Sequence, residues 1–259
     1  MKYMLNASRR KFLKISLAVM AGPSFMSCVA SSVKRAPVEP RLTARPSGIP
    51  VQTINKGLSR LDPGSKRGGI VYVPESYSPD IAMPLFIAMH GSGEGSSIWK
   101  SYYARAEERG MVLLAPESQG TTWDLIKGDY GADLVFLDRA LKYVFAGCNI
   151  DPGRIALCGF SDGATYALSL GVSNGDLFSH LIGYSPGFIS GREPIVGRPR
   201  IYISHGTKDR IFPVRVTRDN IVPAFKKSGY NVVYNEFEGG HEVPAAVTDA
   251  ALEWFLDGI

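Results

Sequence analysis

From about residue 64 onward, short β-branched or apolar runs alternate with longer amphipathic stretches, and this alternation constrains the fold more than any other feature of the chain. The runs at 69–73, 85–89, 111–115, 154–158, 180–184, 200–204 and 232–237 have the length and composition of strands. Helices are predicted at 98–109, 131–146, 162–171, 217–228 and 245–256. In the second of these, Leu134, Leu137, Leu141 and Val144 recur at helical spacing and give one apolar face to lay on a sheet. Strand and helix in alternation predict an α/β fold, a mostly parallel central sheet with helices on both faces. Ligands of such sheets sit beyond the carboxyl ends of the strands. The residues that leave each strand are therefore the ones to search for chemistry.

The chain ahead of this region has a different character. Ser8-Arg9-Arg10-Lys11-Phe12-Leu13-Lys14 precedes a moderately apolar stretch at 15–26, too short for an ordinary membrane-spanning helix but laid out as an export signal. The paired arginines followed by Phe-Leu-Lys resemble the bacterial twin-arginine signal. Residues 1–30 are assigned to this leader, 31–63 to a Pro-, Ser- and basic-rich linker with an edge strand possible near its end, and 64–259 to one catalytic domain. Export would place the protein in the periplasm or outside the cell, with the export machinery as the leader's partner. Cys28, in Phe25-Met26-Ser27-Cys28, resembles a lipoprotein processing site, so both a lipid-anchored and a released form stay open. Cys148 and Cys158 are read as two separate core thiols.

The net charge of +5 suggests an anionic partner until it is divided along the chain. Residues 1–45 hold nine Lys or Arg and one acid, which leaves 20 bases against 23 acids for the rest. The basic charge belongs to the leader and the segment behind it. The folded part carries no electrostatic footprint for nucleic acid.

Directly after the predicted strand 154–158 comes Gly159-Phe160-Ser161-Asp162-Gly163, and then an Ala-rich helical stretch. Glycines on both sides permit the sharp turn that exposes one strained side chain between a strand and a helix. The five-residue pattern alone arises by chance roughly once in ten chains of this length, so its strand-turn-helix setting carries the weight. A serine hydroxyl needs a base within hydrogen-bond reach, itself held by a carboxylate. His241 lies in Glu238-Gly239-Gly240-His241, after the last strand. Asp209 lies in His205-Gly206-Thr207-Lys208-Asp209, after the strand 200–204. The order Ser161, Asp209, His241 is the chain order of a nucleophile-elbow triad. Backbone N–H donors for an oxyanion are expected from Asp162 and from Ser92 in the loop His90-Gly91-Ser92-Gly93. His90 and His205 are read as orienting residues, and His180 as a surface or capping residue. No H-E-x-x-H or clustered His/Cys spacing supports a metal centre.

H-G-S-G, G-F-S-D-G, H-G-T-K-D and G-G-H, each behind a strand, together resemble the phospholipase/carboxylesterase family of α/β-hydrolases over roughly residues 68–257. The resemblance implies a serine esterase that acts on carboxylic esters or thioesters without a cofactor. Asp162 departs from it, because many relatives carry Gln there. The related polyhydroxybutyrate depolymerase and feruloyl esterase branch is similar in its first half and remains a rival. A thioesterase or peptidase would use the same triad, and a non-catalytic exported binding protein could keep the fold. Only residues 185–199 separate the sixth predicted strand from the seventh, too few for a large helical lid. An open cleft and a soluble or small ester are therefore expected, with Trp99, Trp123, Tyr184, Phe188 and Phe212 as candidate walls.

Overall fold

The computed structural model describes residues 39–61, 67–191 and 194–257. The leader, Cys28 and their expected fates lie outside the described residues. The strands are β1 Gly57–Arg60, β2 Gly69–Val73, β3 Met83–Met89, β4 Val112–Pro116, β5 Ile150–Phe160, β6 His180–Tyr184, β7 Arg200–Gly206 and β8 Val232–Phe237. They form one sheet in the order β1-β2-β4-β3-β5-β6-β7-β8. β1 and β2 run antiparallel to their neighbours, and every pairing from β4 to β8 is parallel.

The alternating side chains of the central strands explain the layering. In β3, Leu85, Ile87 and Met89 enter one apolar cluster while Phe86 and Ala88 enter another on the opposite face. The first cluster receives α2 (Ala132–Gly147), α3 (Asp162–Val172) and α5 (Val222–Lys227); the second receives α1 (Ser101–Arg109) and α6 (Ala245–Leu256). With both faces covered, every residue of β3, β4 and β6 is buried. α2 contributes the predicted stripe of Leu134, Leu137, Leu141 and Val144. The predicted helix 217–228 is broken up: a short turn α4 (Val214–Val216) passes into a π-helical turn at Thr217–Ile221 and then into α5.

The linker expectation needs correction over the described residues 39–61. Leu42, Ala44, Ile54 and Leu61 are buried in the first cluster. The edge strand allowed for near the linker's end is β1, paired with β2. Polar anchors hold this segment along its course. The Asp138 carboxylate accepts the backbone N–H groups of Thr43 and Ala44 at 2.6 and 2.8 Å, and Arg41 and Arg45 both pair with Asp176. Composition reads such a stretch as unstructured because its apolar residues have no local period; they meet distant parts of the chain, as Ile54 meets Gly147 at the end of α2, rather than one another.

Cys148 and Cys158 are both buried and free, and burial pushes the Cys148 thiol up to about 12. His180, expected at the surface, is buried instead, its ring edge-on to Trp254 and Phe255 at 5.0 and 5.1 Å. Burial pushes its imidazole down to about 4. It opens a strand, as predicted, but α6 covers that strand's second face. Residues 185–191 and 194–199, between β6 and β7, contain no helix.

Candidate active site

Ser161 sits between the end of β5 and the start of α3 with φ 56° and ψ −119°, a conformation costly for a residue with a side chain. Close backbone approach holds it there. A Cβ on Gly159 would lie 2.2 Å from the Gly163 carbonyl carbon, and one on Gly163 would lie 2.3 Å from the Met89 oxygen. Both positions therefore require glycine: the first closes the turn on itself, and the second lets it press against the end of β3. Ser161 donates its backbone N–H to the Tyr184 oxygen at 2.9 Å, tying the turn to β6 as well.

Two further loops at the same sheet edge bring partners to the hydroxyl. His241 Nε2 lies 2.8 Å from Ser161 Oγ, and His241 Nδ1 lies 2.6 Å from Asp209 Oδ2. An ionised carboxylate only accepts, so the ring proton is on Nδ1 and Nε2 is free to accept from the serine hydroxyl. The ring is held by Phe160, at 4.8 Å between centroids, and by Phe212, edge-on at 5.5 Å. Asp209 Oδ1 accepts the backbone N–H groups of Ile211 and Phe212 at 2.8 and 2.9 Å. Burial by itself would push this carboxyl up; the hydrogen bonds from His241 and from those two N–H groups outweigh it and hold the pKa below the usual carboxylate range. The arrangement can draw a proton from a serine hydroxyl and stabilise the imidazolium that results.

The loop behind β3 lies beside the serine: a Cβ added to Gly91 would come 3.4 Å from Ser161 Cβ. Its backbone is fixed from several sides. Gly91 donates its N–H to Glu94 Oε2 at 2.9 Å and Gly93 donates to the Thr121 oxygen at 2.7 Å. His90 Nε2 accepts the Ser118 N–H at 3.0 Å, which leaves the proton on Nδ1 to donate to the Gly91 oxygen at 2.7 Å. Burial lowers the pKa of His90, in keeping with a neutral ring that orients the loop. Ser92 is exposed on this loop, and Asp162 occupies the first position of α3, where backbone N–H groups have no helical partner. The Asp162 carboxylate accepts from Thr122 Oγ1 at 2.6 Å.

The expected walls divide. Phe212 packs on His241 and its ring fills the space over Gly187; Phe188, beside that glycine, is 44% exposed. Trp99, Trp123 and Tyr184 are corrected: all three are buried core residues. Trp99 packs edge-on to Tyr102, the Tyr184 hydroxyl lies 3.2 Å from that of Tyr102, and Trp123 Nε1 donates to the His90 oxygen at 2.8 Å. Each stands near the right sheet edge in sequence, but its side chain faces inward. Sequence reasoning missed Glu94, Thr122, Thr165 and Ser169. The only signal for the last two was their spacing of four on the helix after Ser161, which places two hydroxyls on one face.

Among the described residues no group of three or more His, Cys, Asp or Glu side chains could hold a metal ion, and no helix is long and apolar enough to cross a membrane.

The chain matches no protein-family model. It is 27% identical over 157 residues to a probable feruloyl esterase C of Aspergillus clavatus, in a match that covers 56% of this chain and 55% of that protein. The chain thus spans about half the length of that curated relative. Among solved structures it is similar to the S-formylglutathione hydrolase of Staphylococcus aureus (TM-score 0.62, 14% identity, 81% of this chain and 100% of that one). It is also similar to esterase PE8 (0.61, 19%, 75% and 100%) and to the Bacillus cereus carboxylesterase (0.60, 18%, 76% and 97%). At such identities these likenesses speak to the fold.

Proposed function

From the premise that this chain has the α/β-hydrolase fold, we propose that it is a serine esterase, hydrolysing carboxylic esters through an acyl-enzyme on Ser161. The observation that carries this reading is the position of His241, 2.8 Å from Ser161 Oγ on one side and 2.6 Å from Asp209 on the other. Ser161 Oγ attacks the ester carbonyl carbon while His241 Nε2 takes the hydroxyl proton, and Asp209 steadies the imidazolium. The N–H groups of Ser92 and Asp162 receive the negative charge that develops on the carbonyl oxygen. His241 then returns the proton to the departing alcohol. Water, activated by the same nitrogen, attacks the acyl-enzyme and releases the acid and the free serine.

Ser161→Ala tests this directly. Turnover of a short p-nitrophenyl ester should vanish while the circular dichroism spectrum is unchanged; undiminished turnover would sink the assignment. Thioesters and peptide amides assayed beside the ester separate the other bonds this triad could cleave. Labelling of Ser161 by a fluorophosphonate distinguishes an enzyme from a binding protein on the same fold.

A narrower reading, esters of apolar or aromatic acids, is supported by Phe188 and Phe212 at the cleft and by the name of the Aspergillus relative. The Asp162 carboxylate next to the nucleophile disfavours anionic substrates. The leader motif supports export, which fractionation of cells carrying Arg9→Lys and Arg10→Lys would check.

A further inference from the structure

Asp209 has a second histidine against it. His205, at the end of β7, is buried, and its Nε2 lies 2.8 Å from the Phe212 oxygen and 3.2 Å from Asp209 Oδ2, the same oxygen that faces His241. A carbonyl and a carboxylate can only accept, so Nε2 must carry the ring proton and share it between them. Nδ1 is then an acceptor, and Thr217 Oγ1, 2.8 Å away, is its donor. Thr217 is itself buried and begins the π-helical turn, so the second ring nitrogen is braced by a segment outside the triad loops.

We propose that His205 is a positioning residue for the proposed triad: its Nε2–H fixes the Asp209 carboxylate and takes part of that carboxylate's charge, with Thr217 bracing the ring at Nδ1. The inference rests on the esterase reading. His205 touches neither substrate nor serine, and it acts through Asp209 on His241. The titratable groups around it are Asp209 on its own loop, His241 on the loop after β8, and Glu236 of β8, which is its register partner and is paired with Arg218. Burial lowers the pKa of His205, in keeping with a neutral donor.

Removing this donor leaves more negative charge on Asp209 for His241, which favours the imidazolium. The carboxylate also loses the contact that aims it at His241, and that loss of alignment should lower kcat by about tenfold or more in His205→Leu with little change in KM, as expected for loss of a hydrogen bond to a charged group. The substitution should also move the acidic limb of the kcat/KM profile upward by roughly half a pH unit. His205→Gln, whose amide can place an N–H near Nε2, should recover most of the rate and the original limb. Thr217→Val keeps the histidine but removes the contact that braces its Nδ1, and the loosened ring should cost several-fold in kcat; it carries the test should His205→Leu fail to fold.

The measurement is the pH dependence of p-nitrophenyl ester turnover for the four proteins, with the rate of fluorophosphonate labelling of Ser161 beside it. A wild-type protein that neither labels nor turns over overturns the esterase reading and this inference with it. A labelled, active wild type whose His205→Leu and Thr217→Val variants keep its kcat and acidic limb overturns the inference alone. So does a His205→Gln variant as impaired as His205→Leu.

Discussion

Thr165 Oγ1, one turn beyond Ser161 on α3, accepts the backbone N–H of Gly187 at 3.0 Å. One turn further along, Ser169 Oγ accepts the N–H of Ser190 at the same distance. The helix that starts at Ser161 therefore also fixes the loop that carries Phe188 and underlies Phe212.

Thr165→Val keeps the shape and removes the acceptor, so the half-buried N–H of Gly187 loses its partner at about 1 kcal/mol. Thermal unfolding should begin several degrees lower for a domain of this size. If the loop forms the acyl side of the cleft, KM should rise more for long or aromatic acyl esters than for acetate. An equal change for all acyl groups would separate the loop from substrate selection.

Glu94 closes the loop before Ser92 by accepting the Gly91 N–H at 2.9 Å. Glu94→Ala should lower kcat several-fold, about the cost of one hydrogen bond in the alignment of an oxyanion donor. Glu94→Gln keeps an acceptor and should stay near the wild-type rate. Steady-state kinetics on one ester distinguishes the two.

Asp124 and Asp133 clasp the start of α2, each accepting the other's backbone N–H, at 2.8 Å on Asp124 and 2.6 Å on Asp133. Burial pushes the Asp133 carboxyl up, the N–H of Gln119 opposes this, the Asp124 charge adds to it, and the pKa reaches about 6. A carboxyl whose folded pKa is raised favours folding fully below its unfolded value near 4, and that contribution is lost as pH rises through 6. The shift corresponds to about 2–3 kcal/mol. The stability difference between wild type and Asp133→Asn, from denaturant titrations, should change between pH 4 and 6 and be flat above 7. A constant difference across that range would contradict the assignment.

Cys148 and Cys158 are buried, and burial raises the pKa of both thiols. Neither should react with a thiol reagent in the native protein, and both should react in denaturant. Mass mapping of the labelled peptides reads each site separately.

The elements most legible in the sequence are those with a strong local period. β6, β8 and α6 begin and end at the predicted residues 180–184, 232–237 and 245–256. The meeting of Ser161, Asp209 and His241 at one edge was legible for a related reason: each follows the end of a strand within a few residues, and a parallel sheet delivers all such positions to one edge. The stretch 217–228 was less so: its π-helical turn begins at Thr217, where the chain meets His205, a tertiary contact that local propensity does not carry.

What the sequence determined by itself was the alternation, hence the sheet, and the residue types arriving at its carboxyl edge. Only the tertiary structure decided which side chains face the cleft. Trp99, Trp123 and Tyr184 turn into the core while Phe188 and Phe212 remain at the edge, and His180 is covered by α6. Local period says that a side chain is apolar or faces one side of its element. Burial depends on what packs across from it, and those partners come from distant parts of the chain, as Ile54 does for Gly147 at the end of α2. The same holds for His205: its proximity to Asp209 was readable from their spacing, but the two acceptors that make Nε2 a donor, the Phe212 oxygen and Asp209 Oδ2, meet it only in the folded chain.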